Sequence, residues 1–212
     1  MKAYIVDTVR TQVGRYGGAL AKVRADDLAA ATLSALIERS QLHASDVDEV
    51  ILGAANQSGD DNRNVARMAL LLANFPVDVP GYTVNRLCAS GLQAVASAAE
   101  AICAGRTDVV IAGGVESMTR APWVTEKPSK AWSKPGPMFD TALGWRFINP
   151  TMASHDSGLT TLSLGEATEK LVKEKGITRN DSDAFAAQSH KRAVSAWKNG
   201  NFDSQIIPVA GL

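Results

Sequence analysis

The chain has 212 residues, 45% hydrophobic and 21% charged, and its 22 basic and 22 acidic side chains cancel to a formal net charge of zero. That length suffices for one large domain or two small ones around a buried core. Balanced charge leaves no electrostatic footprint for nucleic acid or an anionic membrane, and no apolar run approaches the ~20 residues that cross a bilayer.

Residues 2–7 (KAYIVD) form a short apolar run bounded by a polar loop, which predicts a strand. No signal or transit segment stands before it, so a cytoplasmic location is the expectation. Residues 26–39 place Leu28, Ala31, Thr32, Ala35 and Leu36 at helical spacing, with Asp26 and Asp27 at the positive end of the helix. A short helical turn at residues 46–48 precedes a second strand, residues 49–54 (EVILGA). A second helix over residues 63–73 is closed by Asn74 and Pro76. Residues 81–87 (GYTVNRL) are β-branched and aromatic enough for a strand. The alanine-rich residues 89–104 predict a helix with Leu92, Val95, Ala96, Ala99 and Cys103 on its apolar face and Gly105 as its stop. Residues 108–112 (DVVIA) make a further strand. Strands alternating with helices predict an α/β layered domain, and runs such as VILG and VVIA predict a sheet covered on both faces.

From residue 119 the character changes. Pro122, Pro128, Pro135, Pro137 and Pro150, with Gly136, Gly144 and Gly158, break any periodicity, and Trp123, Trp132 and Trp145 fall in the same stretch. Such a segment packs as a lid or binding loop, or as a satellite apolar cluster beneath a long loop. Helical character returns at residues 165–175, ended by Gly176. It returns again at residues 182–198, behind Thr178 and Asp181, a capping-box pair with Asp in place of Glu. Residues 204–209 (SQIIPV) predict the start of another strand, and no internal repeat is present. The domain reading is residues 1–118, followed by residues 119–212 as an insertion or second unit.

One position carries chemistry. Cys88 falls where the strand of residues 81–87 becomes the helix of residues 89–104. Unpaired backbone N–H groups and the helix macrodipole there favour a thiolate over a thiol. A thiolate so placed attacks an acyl group, and the same N–H groups can hold the oxyanion that forms. The competing reading is a small buried hydrophobe. Cys88 and Cys103 are the two cysteines, ~22 Å apart at 1.5 Å per helical residue, far beyond the ~7 Å limit for a disulfide. Both are therefore expected as free thiols, with Cys103 in the core. No His/Cys spacing suggests a metal. His43 and His190 read as solvated, and His155 lies in the proline-broken segment, where it could approach a ligand.

The wording around Cys88 goes further. VNRLCASGLQAV, followed by DVVIAGGVESMTRAPW (residues 108–123), resembles the thiolase family, which moves acyl groups to and from coenzyme A. The resemblance begins at VDTVRTQVGRYGGAL (residues 6–20) and continues through NVARMALLLANFP (residues 64–76). It ends with DAFAAQSHKRA (residues 183–193) and IIPV (residues 206–209), in the family's order. Gln12 and Asn74 depart from the proline and glycine common at their positions. Both departures lie in loops.

The resemblance implies a thiolase-like layered fold, a central mixed sheet covered by helices. Residues 1–118 would be the incomplete nucleophile domain, and residues 119–212 an incomplete loop domain lying over coenzyme A. It implies that Cys88 becomes an acyl-thioester, with its own backbone N–H holding the thioester oxygen. Ser163 and Leu164 would line the acyl-pantetheine channel. Gly113 and Gly114 are assigned to close backbone approach, while Glu116 and Ser117 carry no assigned role. The implied reaction is thiolytic cleavage of a 3-ketoacyl-CoA, or the reverse condensation, in fatty acid metabolism and β-oxidation. Coenzyme A is a co-substrate, and no permanent cofactor or metal is implied. APWV and FDTALGWRFINP look more like degradative 3-ketoacyl-CoA and β-ketoadipyl-CoA thiolases than like biosynthetic ones. Members of the family are homodimers or homotetramers, the expectation for the intact protein. Thiolases also carry a second half with a Gly-His-Pro histidine, an acid/base cysteine and an Asn-Glu motif, none of which occurs in residues 1–212. The fragment alone is therefore expected to be inactive in turnover. The alternatives are a ketosynthase-type decarboxylative condensing enzyme and a non-catalytic thiolase-like binding module.

Overall fold

The computed structural model describes residues 2–154 and 161–209. The chain divides into two units, one running to Pro122 and resuming at Gln205, the other spanning Trp123–Ser204. In the first unit helix α1 (Ala25–Ser40) leads into strand β1 (Glu49–Gly53), helix α2 (Val65–Leu72) and strand β2 (Gly81–Val84). Helix α3 (Ser90–Cys103) and strand β3 (Val110–Gly114) follow. The three strands run parallel in the order β2-β1-β3, with Val50 opposite both Gly81 and Ile111.

The side-chain alternation of β1 builds the layers. Val50 and Leu52 point to one face, where they join Ala29, Ala30 and Leu33 of α1 with Ala66, Ala69 and Leu70 of α2. Ile51 points to the other, against Ala94 and Ala98 of α3. Val50 and Ile51 are both wholly buried, so β1 is apolar without interruption because both faces are covered. The α/β architecture expected from the sequence is present.

The helices present different faces from those the spacing predicts. On α3 the buried positions are Ser90, Ala94, Ala98 and Ala101, while Leu92 is 74% exposed. On α1 Leu33 is buried and Leu36 only partly so. Alanine carries little weight in a hydrophobic pattern, yet its small side chain is what lets a helix backbone lie close on a sheet. Cys103, expected in the core, is exposed in the last turn of α3. Asn74 has a left-handed φ of 59°, which accounts for the glycine common at that position.

Two predicted strands do not form. Residues 2–7 have no strand partner among the described residues, and Tyr4, Ile5 and Val6 stand exposed. Their short apolar run signals extended backbone, but a strand exists only where a neighbour supplies hydrogen bonds. Residues 204–209 reduce to one parallel bridge, Ile206 to Arg10. There the Arg10 N–H donates to Gln205 O at 2.8 Å and the Ile207 N–H to Arg10 O at 3.0 Å.

In the second unit β4 (Trp123–Thr125) pairs antiparallel with β5 (Met138–Asp140). Phe139 meets Phe147 edge-on at 5.4 Å. A single turn, α4 (Pro150–Ala153), precedes α5 (Leu164–Lys175) and α6 (Arg179–Lys198). Gly176 closes α5 at φ 64°, and Thr178 with Asp181 forms the capping box of α6. Among the described residues no helix is long and apolar enough to cross a membrane.

Candidate active site

All three strands of the first unit end at the same edge, the usual location of a binding crevice in a parallel sheet. Their C-terminal ends are laced together. The Ala54 N–H donates to Val84 O at 3.1 Å and the Val115 N–H to Gly53 O at 3.0 Å. The Glu116 carboxylate accepts from the N–H groups of Ala55 and Asn56 at 2.7 and 3.2 Å, tying the residues after β3 to those after β1. Asn85 Nδ2 donates to Ala55 O at 2.9 Å, tying in the residues after β2.

Cys88 sits on the elbow between β2 and α3 and is exposed. The elbow turns through Leu87, whose φ of 51° is left-handed, a conformation costing a non-glycine residue roughly 1–2 kcal/mol. Side chains on both sides hold it there. The Leu87 N–H donates to Asn85 Oδ1 at 2.9 Å. Ser90 Oγ accepts the Arg86 N–H at 2.8 Å and donates to Leu87 O at 2.6 Å. The Ala89 and Ser90 N–H groups are also spent within the turn, on Arg86 O and Leu87 O. Ala89, the N-cap of α3, has no side-chain oxygen to cap the helix, so its first-turn N–H groups can serve an incoming oxygen.

Gly53 makes this arrangement sterically possible. A Cβ there would lie 2.4 Å from Ser90 C and 2.5 Å from Gly91 N, inside the backbone of the first turn of α3. Gly114 stacks similarly, its added Cβ falling 2.8 Å from Gly53 O. By contrast, Gly113 leaves ordinary space, the nearest neighbour of an added Cβ being Leu52 Cδ2 at 3.7 Å.

A charged cluster flanks the same edge. Arg24 bridges Asp26 at 2.8 Å and Asp60 at 3.2 Å, and Arg120 also pairs with Asp60. Burial pushes the Asp61 carboxyl above its ordinary value, and the nearby Glu116 charge adds to that effect against the lowering by the Gly59 N–H. Arg24, Arg120, Asp26 and Asp60 satisfy one another's charges, which marks this group as a brace. Among the described residues no group of His, Cys, Asp and Glu is placed to hold a metal.

Ser163 and Leu164 lie in the second unit, at the start of α5. Ser163 is the N-cap: its Oγ accepts the Glu166 N–H at 3.4 Å and donates to Glu166 Oε2 at 2.8 Å. Leu164 is 77% exposed. His43 and His190 are exposed, and His155 lies outside the described residues. Sequence reasoning missed Gly53, Asn85, Ser90 and Glu116. The available signal was the pair of turn-forming side chains, Asn85 and Ser90, on either side of Cys88.

A family profile described as thiolase, N-terminal domain, matches residues 3–211. The chain is 52% identical over 209 residues to the 3-oxoadipyl-CoA/3-oxo-5,6-dehydrosuberyl-CoA thiolase of Escherichia coli K12, covering 98% of this chain and 51% of that protein. It is equally similar, with the same coverage, to a beta-ketoadipyl-CoA thiolase of Escherichia coli. The crystal structure of the Bacillus anthracis acetyl-CoA acetyltransferase superimposes with a TM-score of 0.81 at 38% identity, over 95% of this chain and 49% of that one. The chain thus spans about half the length of the curated relatives it matches.

Proposed function

The chain belongs to the thiolase family, and we propose that Cys88 is its acyl-accepting nucleophile, in a thiolytic reaction on a 3-ketoacyl-CoA. The supporting observation is the elbow: an exposed thiol at the uncapped N-terminus of α3, at the edge where three parallel strands end. In the first step Cys88 Sγ bonds to the 3-keto carbon and the C2–C3 bond breaks. The departing carbon takes up the thiol's proton, giving acetyl-CoA and an acyl-thioester on Cys88. In the second step the coenzyme A thiol attacks that thioester, releasing the shortened acyl-CoA and returning the proton to Cys88. Both steps pass through a tetrahedral oxyanion, which the Cys88 N–H and the first turn of α3 would hold.

The relatives support one substrate class over another. Those about 50% identical are named for 3-oxoadipyl- or beta-ketoadipyl-CoA, while an acetyl-CoA acetyltransferase of Chromobacterium violaceum is 40% identical. This ranking favours a 3-oxo dicarboxylic acyl-CoA over the fatty acyl chains of β-oxidation. The family match also favours thiolase over ketosynthase chemistry. Coenzyme A as co-substrate, the channel role of Ser163 and Leu164, and a homodimeric or homotetrameric assembly are part of the same proposal, supported by the resemblance.

The test is acylation. Incubation with acetyl-CoA should leave an acetyl group on Cys88. Trypsin places Cys88 and Cys103 in one peptide, residues 87–106, so fragment ions must locate it. Acetyl at neither cysteine, or equally at both, would support the non-catalytic binding module instead.

A further inference from the structure

We propose that Ser90 is a positioning residue for acyl transfer, fixing the direction of the Cys88 N–H. This rests on the reading of Cys88 as nucleophile and adds a role for a side chain that touches no substrate.

The Cys88 N–H and the Leu87 C=O belong to one peptide plane, in which a trans bond sets them pointing opposite ways. Whatever holds the Leu87 carbonyl therefore aims the Cys88 amide. That carbonyl accepts two hydrogen bonds, both from Ser90: one from its N–H at 3.0 Å and one from its Oγ at 2.6 Å. The same Oγ accepts the Arg86 N–H at 2.8 Å, so the hydroxyl spans the elbow from the residue before Leu87 to the plane after it. Ser90 is 4% exposed and fully committed, so its hydroxyl is a clasp and not a substrate ligand.

The clasp works against a restoring tendency. Leu87 is held left-handed at φ 51°, and without it the backbone gains by relaxing toward ordinary φ, which turns the plane carrying the Cys88 N–H. Of the five amides from Arg86 to Ser90, four are bonded within the turn, and among the described residues only that of Cys88 is without a partner. The loop spends the other four donors and leaves this one unspent.

A structural role and a positioning role separate by chemistry. Alkylation of a thiol by iodoacetamide is displacement at a saturated carbon and forms no oxyanion, whereas acylation by acetyl-CoA does. In Ser90→Ala, acetylation of Cys88 should fall about 10- to 100-fold while alkylation of Cys88 and of Cys103 stays within about twofold of the parent. Ser90→Thr, which keeps the hydroxyl, should recover most of the acetylation. Asn85→Ala removes the other side chain holding Leu87, at an exposed position, and should show the same split even if Ser90→Ala does not fold. Unchanged acetylation in both alanine variants, or a parallel loss of acetylation and alkylation, overturns the proposal. Absence of acetylation in the parent chain overturns instead the reading of Cys88 on which it rests.

Discussion

Replacing Gly53 by alanine should damage both stability and the candidate site. The added Cβ would stand 2.4 Å from Ser90 C, 2.5 Å from Gly91 N and 2.6 Å from Ser90 O. Non-bonded carbons settle at about 3.5–4.0 Å, so strand and helix must separate by about 1 Å. Neither side yields cheaply. Strand β1 is hydrogen-bonded on both edges, and Ile51, two residues earlier, is wholly buried against Ala94 and Ala98 of the same helix. Overpacking of this kind costs about 1–3 kcal/mol, and at roughly 2–4 °C per kcal/mol for a chain of this size the melting temperature should drop by roughly 2–12 °C. The displaced turn carries Ser90, so acetylation of Cys88 should decline as well. The control lies across the same contact. In Gly91→Ala the new Cβ meets only Gly113 O, at 3.9 Å, and the helix gains about 1 kcal/mol of propensity. Thermal melts followed by circular dichroism should therefore move in opposite directions for the two variants. Equal shifts, or a Gly53→Ala melt unchanged within error, would refute the close-approach argument.

Two further predictions concern the termini of elements. The Val109 and Asp108 N–H groups, in that order of effect, hold the Asp48 carboxyl below its ordinary value of 3.8. Its stabilising contribution is complete above that value and is lost as pH falls from it toward the folded-state value. Asp48→Asn should melt below the parent at pH 7, with the gap closing below about pH 4; a gap constant from pH 7 to pH 3 contradicts the assignment. Ser163→Ala removes the N-cap of α5 at about 1 kcal/mol, and amide hydrogen exchange over residues 164–166 should quicken roughly fivefold. An unchanged exchange rate alongside weakened coenzyme A binding would favour the channel role of Ser163 over the cap.

The layered plan is written in β1, where Val50, Ile51 and Leu52 leave no polar face and so demand cover on both sides. Local chemistry also reads directly at Gly176 and at the Thr178–Asp181 pair, because caps depend only on neighbours in sequence. The pairing of residues 2–7 is a different matter. KAYIVD states a preference for extended backbone but contains nothing about whether a partner strand lies alongside. The buried face of α3 misleads for another reason: Leu92 outweighs Ala94 in any hydrophobic sum, yet Gly53 admits only a helix whose inward residues are small. The elbow was the least legible part. Asn85 and Ser90 mark a turn in the sequence, but that Leu87 is the residue turned left-handed, and which atoms the two side chains bond, is visible only in the structure.

The lacing at the strand ends has a consequence for how such a protein can diversify. Every hydrogen bond described at the elbow begins and ends within the first unit, on Asn85, Ser90, Glu116 and backbone atoms. Residues 123–204 leave that unit at Pro122 and rejoin it at Gln205, where Arg10 receives the returning chain. They form a cassette between two points of the first unit's chain. Under the proposed function, the sequence of the cassette can change while every hydrogen bond described around Cys88 stays as it is.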